Sequence, residues 1–332
     1  MKVSPRSAGI VGLGTYLPAE RLTNADLEKI IDTSDEWIRS RTGISERRRV
    51  ASDEAASDMG VKSALKALES AGIKPEEVDL IIVPTITPDM VFPSTSSIVQ
   101  DKIGAINAAA FDISAGCTGF IYALSTANQF VASGAYDTVL VVATEAMTRF
   151  LNWEDRNTCV LFGDGSGAAV IRPVDEGEGF LSFVLGSDGS GSDLLKIPAG
   201  GSRTPATDKT LTNKEHFIQM SGNEVFRFAV KIMGEAAINA LDKAGLTKED
   251  VDFLVPHQAN TRIIEAAAKR LGLPQEKVFI NLDKYGNMSS ASIPVALEEA
   301  TNKGLLKKGD LIVLVGFGAG LTWGASVMRW LM

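Results

Sequence analysis

The strongest constraint on this chain is that it repeats itself. Residues 71–83, AGIKPEEVDLIIV, resemble residues 244–256, AGLTKEDVDFLVP, with Ala, Gly, Glu, Val and Asp coinciding within the first nine positions. The displacement is 173 residues, from 71 to 244. It also carries Ala123-Leu124 onto Ala296-Leu297, and Asp137 of DTVLVVAT onto Asp310 of DLIVLVGF. A period this long marks a duplicated domain, not a solenoid. The 332 residues leave room for two such units. No Pro/Ser-rich linker parts them, so two tightly packed halves are expected, 1–174 and 175–332.

The hydrophobic pattern fills both halves with alternating strands and helices, which predicts an α/β fold with sheets covered on both faces. In the first half we expect strands near 78–84, 108–113, 138–143 and 166–171, with helices near 95–104 and from 117. In the second half we expect strands at 251–255, 278–281, 311–316 and 324–330, with helices at 259–271 and from about 289. The irregular stretch 186–214, with GSDGSGSD and PAGGSRTPATDKT, reads as a solvated surface connection. At the amino terminus Lys2 and Arg6 precede an apolar run and faintly imitate a secretory leader. Gly12, Gly14 and Pro18 break that run, so a first strand and turn are expected instead.

Composition narrows the function. No apolar run approaches a membrane span. A net charge of −8 argues against bulk binding to nucleic acid, though it leaves room for a local basic patch. Two cysteines build no disulfide framework, which points to a reducing cytoplasm.

One of those cysteines is oddly placed. Cys117, in DISAGCTGFIYAL, falls where a strand ends and a helix begins. Helix N-termini expose unpaired N–H groups that favour thiolate over thiol, and Gly116 and Gly119 permit close approach to the sulfur. A nucleophile fits this setting, while a small packing thiol stays open. Cys159, in NTCVLF, reads as packing. Of the two histidines, His216 in NKEHFIQM has no special setting. His257, in FLVPHQAN, directly follows an apolar strand, where α/β sheets line their ligand crevice. Asn287, in NLDKYGNMSSASIPVAL, precedes the helix that matches the Cys117 helix under the repeat. Its loop should therefore face the cysteine loop, with an amide that donates without charge, and a capping role stays open. The glycine-rich LVGFGAGLTWGASV is no dinucleotide fingerprint, because a strand follows it. It is expected to turn backbone amides toward a reacting oxygen. FGDGSGAAVI, its counterpart, reads as structural.

Cys117 in SAGCTGF, His257 in PHQAN and Asn287 in YGNMSSAS together resemble the Cys-His-Asn triad of the β-ketoacyl-acyl carrier protein synthase III family. VGLGTYLP, TSDEWIRSRTGI, DRNTCVLFGDGSGAAV and GFGAGLTWG extend the resemblance over essentially the whole chain. The resemblance implies a duplicated thiolase-like fold, with two mixed β-sheets in a layered αβαβα arrangement. It implies that Cys117 takes an acyl group from an acyl-CoA primer. The amides of Cys117 and Ala319 would hold the oxyanion; Ala319 stands where the family pattern has glycine, and its amide donates equally well at negative φ. His257 and Asn287 would then hold the enolate formed as malonyl-acyl carrier protein loses carbon dioxide. Thr33, Trp37, Arg41, Arg156 and Asn260 match CoA contacts, and Phe92 matches a residue reaching across a homodimer into the partner's acyl pocket. Arg262, Lys269 and Arg270 would share one helix face, opposite Ile264, Ala267, Ala268 and Leu271, as a carrier-protein patch. No metal or other cofactor is implied, since acyl-CoA is a substrate. Two rivals stay open: a condensing enzyme of a secondary pathway with a different primer or acceptor, and a non-catalytic acyl or CoA binder.

Overall fold

The computed structural model describes residues 6–332; Lys2 lies outside them. Strands β1 (Ser7–Tyr16), β2 (Leu80–Pro84), β3 (Ala109–Ile113), β4 (Val139–Glu145) and β5 (Gly165–Val174) form one sheet in the order β1-β5-β4-β2-β3. Strands β6 (Gly179–Ser187), β7 (Phe253–Pro256), β8 (Leu311–Gly318) and β9 (Thr322–Arg329) form a second in the order β7-β8-β9-β6. Both sheets are mixed, with β2 parallel to β4 and β7 parallel to β8, and the remaining neighbours along β1-β5-β4 and β8-β9-β6 antiparallel. The two orders are the same once each strand is matched to its counterpart. The expected strand at 278–281 shrinks to one bridge, Val278 to Leu254. Beyond it the Gln258 side chain takes over as ladder partner, donating to the Phe279 carbonyl and accepting from the Asn281 amide.

The helices α1 (Asp35–Thr42), α2 (Ala56–Ala71), α3 (Thr95–Ile103), α4 (Gly119–Ala132), α5 (Gly222–Lys243), α6 (Thr261–Leu271) and α7 (Ser292–Asn302) cover these sheets. Period-2 burial decides the layers. On β4, Val139, Val141 and Ala143 face a central core with α4 and α7, whereas Leu140 and Val142 face α2 and α3. On β8, Ile312 and Leu314 join that central core, while Val313 and Val315 face α5 and α6. Two sheets therefore enclose α4 and α7 and are themselves covered outside, giving αβαβα.

The repeat displacement reappears in the elements. The 3₁₀ turns Pro75–Glu77 and Lys248–Asp250, the turns Gly116–Thr118 and Ser289–Ala291, and the starts of α4 and α7 are each 173 positions apart. The stretch 186–214 departs from expectation in part. It contains the helix Asp208–Thr212, and Leu195–Lys196 pairs with Gln219–Met220. Most of it is exposed, as expected of a surface connection, but Leu195 and Ile197 fold inward onto an apolar pocket.

Candidate active site

The Gly116–Thr118 turn follows β3 and leads into α4. Gly116 takes φ +55°, and a Cβ there would lie 2.9 Å from the Ala319 nitrogen. A Cβ on Gly318 would lie 2.5 Å from the Cys117 nitrogen. The end of β8 is thus pressed backbone to backbone against the cysteine turn, which only glycine at both places permits. The Thr118 and Thr322 hydroxyls lie 2.8 Å apart and tie the two segments together, each within hydrogen-bonding distance of the Ala115 carbonyl. Neither the Cys117 nor the Ala319 amide donates a backbone hydrogen bond among the described residues.

His257 follows β7. Its amide donates to the Val315 carbonyl at 2.8 Å, and its ring meets Phe317 edge-on, with centroids 5.8 Å apart. The ring is buried and its Nδ1 has no partner. Burial pulls its pKa down to about 3, so the imidazole is neutral. Asn287 exchanges backbone hydrogen bonds with Leu161 and Gly163, and its Oδ1 accepts from the Ser289 amide at 2.8 Å. With the oxygen pinned, the NH₂ end is left to serve the cavity. Cys117, His257 and Asn287 line one cavity of about 90 Å³. A second, of about 180 Å³ and almost wholly apolar, opens beside Cys117 among Ile86, Met147, Phe162, Ile197 and Ile218.

The structure corrects the expectation that a helix start suffices to ionise Cys117. Burial pushes the thiol up to about 12, and the nearby Glu145 carboxyl adds to the rise. The sulfur lies in a 3₁₀ turn ahead of α4, largely buried, where a thiolate would be poorly solvated. Glu145 itself was not legible as a site residue. It ends β4 wholly buried, accepting from the hydroxyls of Thr85, Thr87, Ser289 and Ser290. The available signal was a lone acid closing the apolar run VLVVATE.

The other expected residues divide. Trp37 on α1 lies under two guanidiniums, Arg41 at 4.8 Å and Arg156 at 4.9 Å from its ring centroid. Thr33 lies in the turn before α1, its hydroxyl buried without a partner. Asn260 caps α6 through Arg262 N–H and donates to the Arg41 carbonyl, so its polar atoms are already engaged where it lines the cavity. Phe92 is 83% exposed beside Val91 at 86%, an apolar tip without cover in the single chain. The basic face is less uniform than expected. Arg262 stacks over Phe226, and Arg270, about 80° around the helix from it, turns to Glu235 with its stem over Gly234. Lys269 remains exposed. FGDGSG is structural where Asp164 accepts from the Val50 and Thr148 amides, and its Phe162 also lines both cavities. His216 lies against Phe217 with the two rings tilted by 44°, and Cys159 packs into the core at the end of the short helix Arg156–Cys159. Among the described residues no cluster of His, Cys, Asp or Glu has the makings of a metal site, and no helix is long and apolar enough to cross a membrane.

The sequence and the fold agree with known proteins. Residues 111–189 match the family model for 3-oxoacyl-[acyl-carrier-protein] synthase III, and residues 241–330 match the model for its C-terminal part. The chain is 59% identical over 324 residues to β-ketoacyl-[acyl-carrier-protein] synthase III of Caldanaerobacter subterraneus, covering 98% of each. It is also 59% identical over 323 residues to the protein of that name from Clostridioides difficile, covering 97% of this chain and 98% of that one. The crystal structure of 3-oxoacyl-[acyl-carrier-protein] synthase III from Aquifex aeolicus superposes with a TM-score of 0.90 at 47% identity, over 97% of this chain and all of that one. The priming β-ketosynthase of the R1128 polyketide pathway gives 0.92 at 38% identity, over all of this chain and 98% of that one. With this coverage at this identity, the chain belongs to the β-ketoacyl-[acyl-carrier-protein] synthase III family.

Proposed function

We propose that this protein is the acyltransferase that starts fatty-acid synthesis, condensing a short acyl-CoA with malonyl-acyl carrier protein through an acyl-Cys117 intermediate. The observation that carries it is one cavity lined by Cys117, His257 and Asn287, beside an apolar pocket of about 180 Å³. The Cys117 sulfur attacks the primer thioester; its bond to the acyl carbon forms as the bond to the CoA sulfur breaks. The amides of Cys117 and Ala319 hold the oxyanion of the tetrahedral intermediate. Malonyl-acyl carrier protein then loses carbon dioxide, and the enolate oxygen is held by neutral His257 and the Asn287 NH₂ group. A neutral imidazole donates without stabilising the departing carboxylate, which suits a decarboxylation. The enolate carbon attacks the acyl-enzyme, and Cys117 leaves.

In this reading Trp37, Arg41, Arg156 and Thr33 receive the nucleotide end of CoA, with Asn260 at the pantetheine arm. Lys269 and Arg262, with Arg270 behind them, receive the acidic carrier protein. Phe92 and Val91 are covered by a second copy, whose own tip closes this chain's acyl pocket, and the homodimer works in the cytoplasm without a further cofactor. Each half, 1–174 and 175–332, contributes one side of the cavity. The test is intact-mass detection of an acyl adduct after mixing with acyl-CoA primers, absent from Cys117→Ser because a serine hydroxyl ionises far less readily than a thiol. An adduct surviving at Cys159 overturns the assignment. The 38% identity to a polyketide priming ketosynthase keeps a secondary-pathway role as the second reading. Comparing malonyl-acyl carrier protein with malonyl-CoA, across a primer panel, separates the two.

A further inference from the structure

The acylation step leaves one proton without a destination. Cys117 is a neutral thiol at rest, and forming its thioester releases the proton on sulfur. Neutral His257 is a weak base in its dry setting. Beneath the site stands a carboxyl that the reaction as described does not use. Glu145 is wholly buried. Its Oε2 accepts from Thr87 Oγ1 at 2.6 Å, Ile86 N at 3.2 Å and Thr85 Oγ1 at 3.3 Å. Its Oε1 accepts from Ser290 Oγ at 2.7 Å, Ser289 Oγ at 2.9 Å and Ser290 N at 3.4 Å. Six donors on two oxygens are the surroundings of a carboxylate, because they offset the cost of burying its charge. The turn that carries Ser289 packs against the turn that carries Cys117, and hydrogen bonding from Ser289 works against the rise of the thiol's pKa. Ser289 is held at φ +49°, in the left-handed region that a residue with a side chain rarely enters. That strain is maintained by the Asn287 Oδ1 on its amide and Glu145 on its hydroxyl.

We propose that Glu145 accepts the Cys117 thiol proton through the Ser289 hydroxyl during acylation and returns it when Cys117 departs in condensation. The inference rests on Cys117 being the acylated residue. In the first step the sulfur–carbon bond forms while the thiol proton moves to Ser289 Oγ and the Ser289 proton moves to Glu145. CoA leaves as thiolate and takes a proton from solvent, the one that decarboxylative condensation consumes overall. In the second step the Cys117 sulfur leaves with its bonding pair and recovers the stored proton by the reverse path. The groups on Glu145 are the four hydroxyls of Thr85, Thr87, Ser289 and Ser290 and the amides of Ile86 and Ser290, with the Cys117 thiol near enough to sense its charge; none of them is a cation that would oppose protonation. Burial raises the Glu145 pKa, which suits a carboxyl that must hold a proton while the enzyme waits for its second substrate. Glu145 touches no substrate and acts through Ser289, so it is a positioning residue.

The experiment combines intact mass, single-turnover loading of an acyl-CoA primer and infrared difference spectra of acylated minus free enzyme. Wild type is expected to show the acyl adduct together with a protonated-carboxyl band that shifts in D₂O. Glu145→Gln is expected to lack that band and to load about 10²-fold slower or worse, the usual loss for a missing acid–base group. Its residual loading is expected to rise about tenfold per pH unit, following free thiolate. Ser289→Gly suits the positive φ, keeps the carboxyl and breaks the path, so it is expected to show the same slow, pH-dependent loading. It decides the matter if Glu145→Gln does not melt cooperatively. Wild-type adduct without the band, or both variants loading at the wild-type rate, overturns the proton path alone. No adduct in wild type overturns the acyl-enzyme reading beneath it.

Discussion

Gly318 offers the sharpest test of how the site is held. A Cβ there would lie 2.5 Å from the Cys117 nitrogen and 3.3 Å from its Cα, against backbone that has no rotamer to yield. Ordinary contact begins near 3.4 Å, so Gly318→Ala must part the two segments by about 0.9 Å. A displacement of about 1 Å at a reacting group costs on the order of 10² in rate, equivalent to about 2.7 kcal/mol of barrier. Because the collision falls on the cysteine turn, the expected loss is in acyl loading. The overpacked interior should lose about 1–3 kcal/mol of stability, leaving a folded enzyme. The control lies two residues away on the same strand and face. At Gly316 an added Cβ would meet the His257 Cβ at 3.4 Å and Ile121 at 3.6 Å, which is normal packing. Gly316→Ala should therefore load within a few-fold of wild type. The assay is single-turnover transfer of labelled acyl group from CoA, with thermal melts of both variants. Equal rates in the two variants, or a Gly318→Ala enzyme as fast as wild type, would refute the claim that this backbone contact positions the nucleophile.

Asn287→Ala should lose about 10²–10³ in carbon dioxide release from malonyl-acyl carrier protein, since one preorganised donor is gone from that step, and should lose less in acyl loading, where it only loosens Ser289; a variant that decarboxylates normally yet fails to load would reverse the division of labour. His257, depressed to about 3 from an ordinary 6.5, must take up a proton on unfolding in acid. Its contribution is therefore present above pH 6.5 and lost as pH falls: between pH 7 and 5 wild type should lose about 2 kcal/mol relative to His257→Gln, read from paired denaturant titrations, and parallel curves would contradict it. Arg47 is buried whole and donates to Leu22 and Val160 carbonyls and Asn24 Oδ1. Arg47→Met should cost 3 kcal/mol or more (roughly three stranded acceptors), against a chemical-denaturation midpoint that otherwise stays put. Ile218→Phe narrows the apolar pocket beside Cys117 and should shift primer preference toward the shortest acyl-CoA; an unchanged panel would place the acyl chain elsewhere.

What could be read from the sequence was whatever depends on local periodicity or on a residue type with few uses. The repeat, the strands and the Cys-His-Asn set belong to that class, because Cys117 and His257 directly follow strands and Asn287 directly precedes the turn that matches the cysteine turn. The edge strand at 278–281 failed because a side chain, Gln258, does work that pattern rules assign to backbone. The loop 186–214 was read only in part, because polar composition does not reveal that Leu195 and Ile197 turn inward. The ionisation state of Cys117 failed for a further reason. A helix start is visible in one segment, whereas the burial that opposes it comes from β8, the Ser289 turn and Glu145, all distant in sequence.

The duplication also explains why one frame supports an asymmetric site. Under the 173-residue displacement Cys117 is equivalent to Ser290, Pro84 to His257, and Glu145 to Gly318. Each pair occupies the same place in its half, at a strand end or in the turn before the central helix. The two turns meet: a Cβ on Gly119 would lie 3.3 Å from the Ser290 Cβ, and the Ser290 Oγ lies 3.0 Å from the Pro84 carbonyl oxygen. At this junction each position is supplied twice, and the halves spend it differently. The first half puts its sulfur in the cavity and a carboxyl beneath; the second puts in an imidazole and leaves its strand end bare, so that Gly318 can lie against the cysteine backbone. A glutamate at 318 would drive into Cys117, and a glycine at 145 would leave the hydroxyls of Ser289, Ser290 and Thr87 without their acceptor. The chemistry therefore depends on the halves having diverged at these three pairs while the frame that aligns them stayed the same.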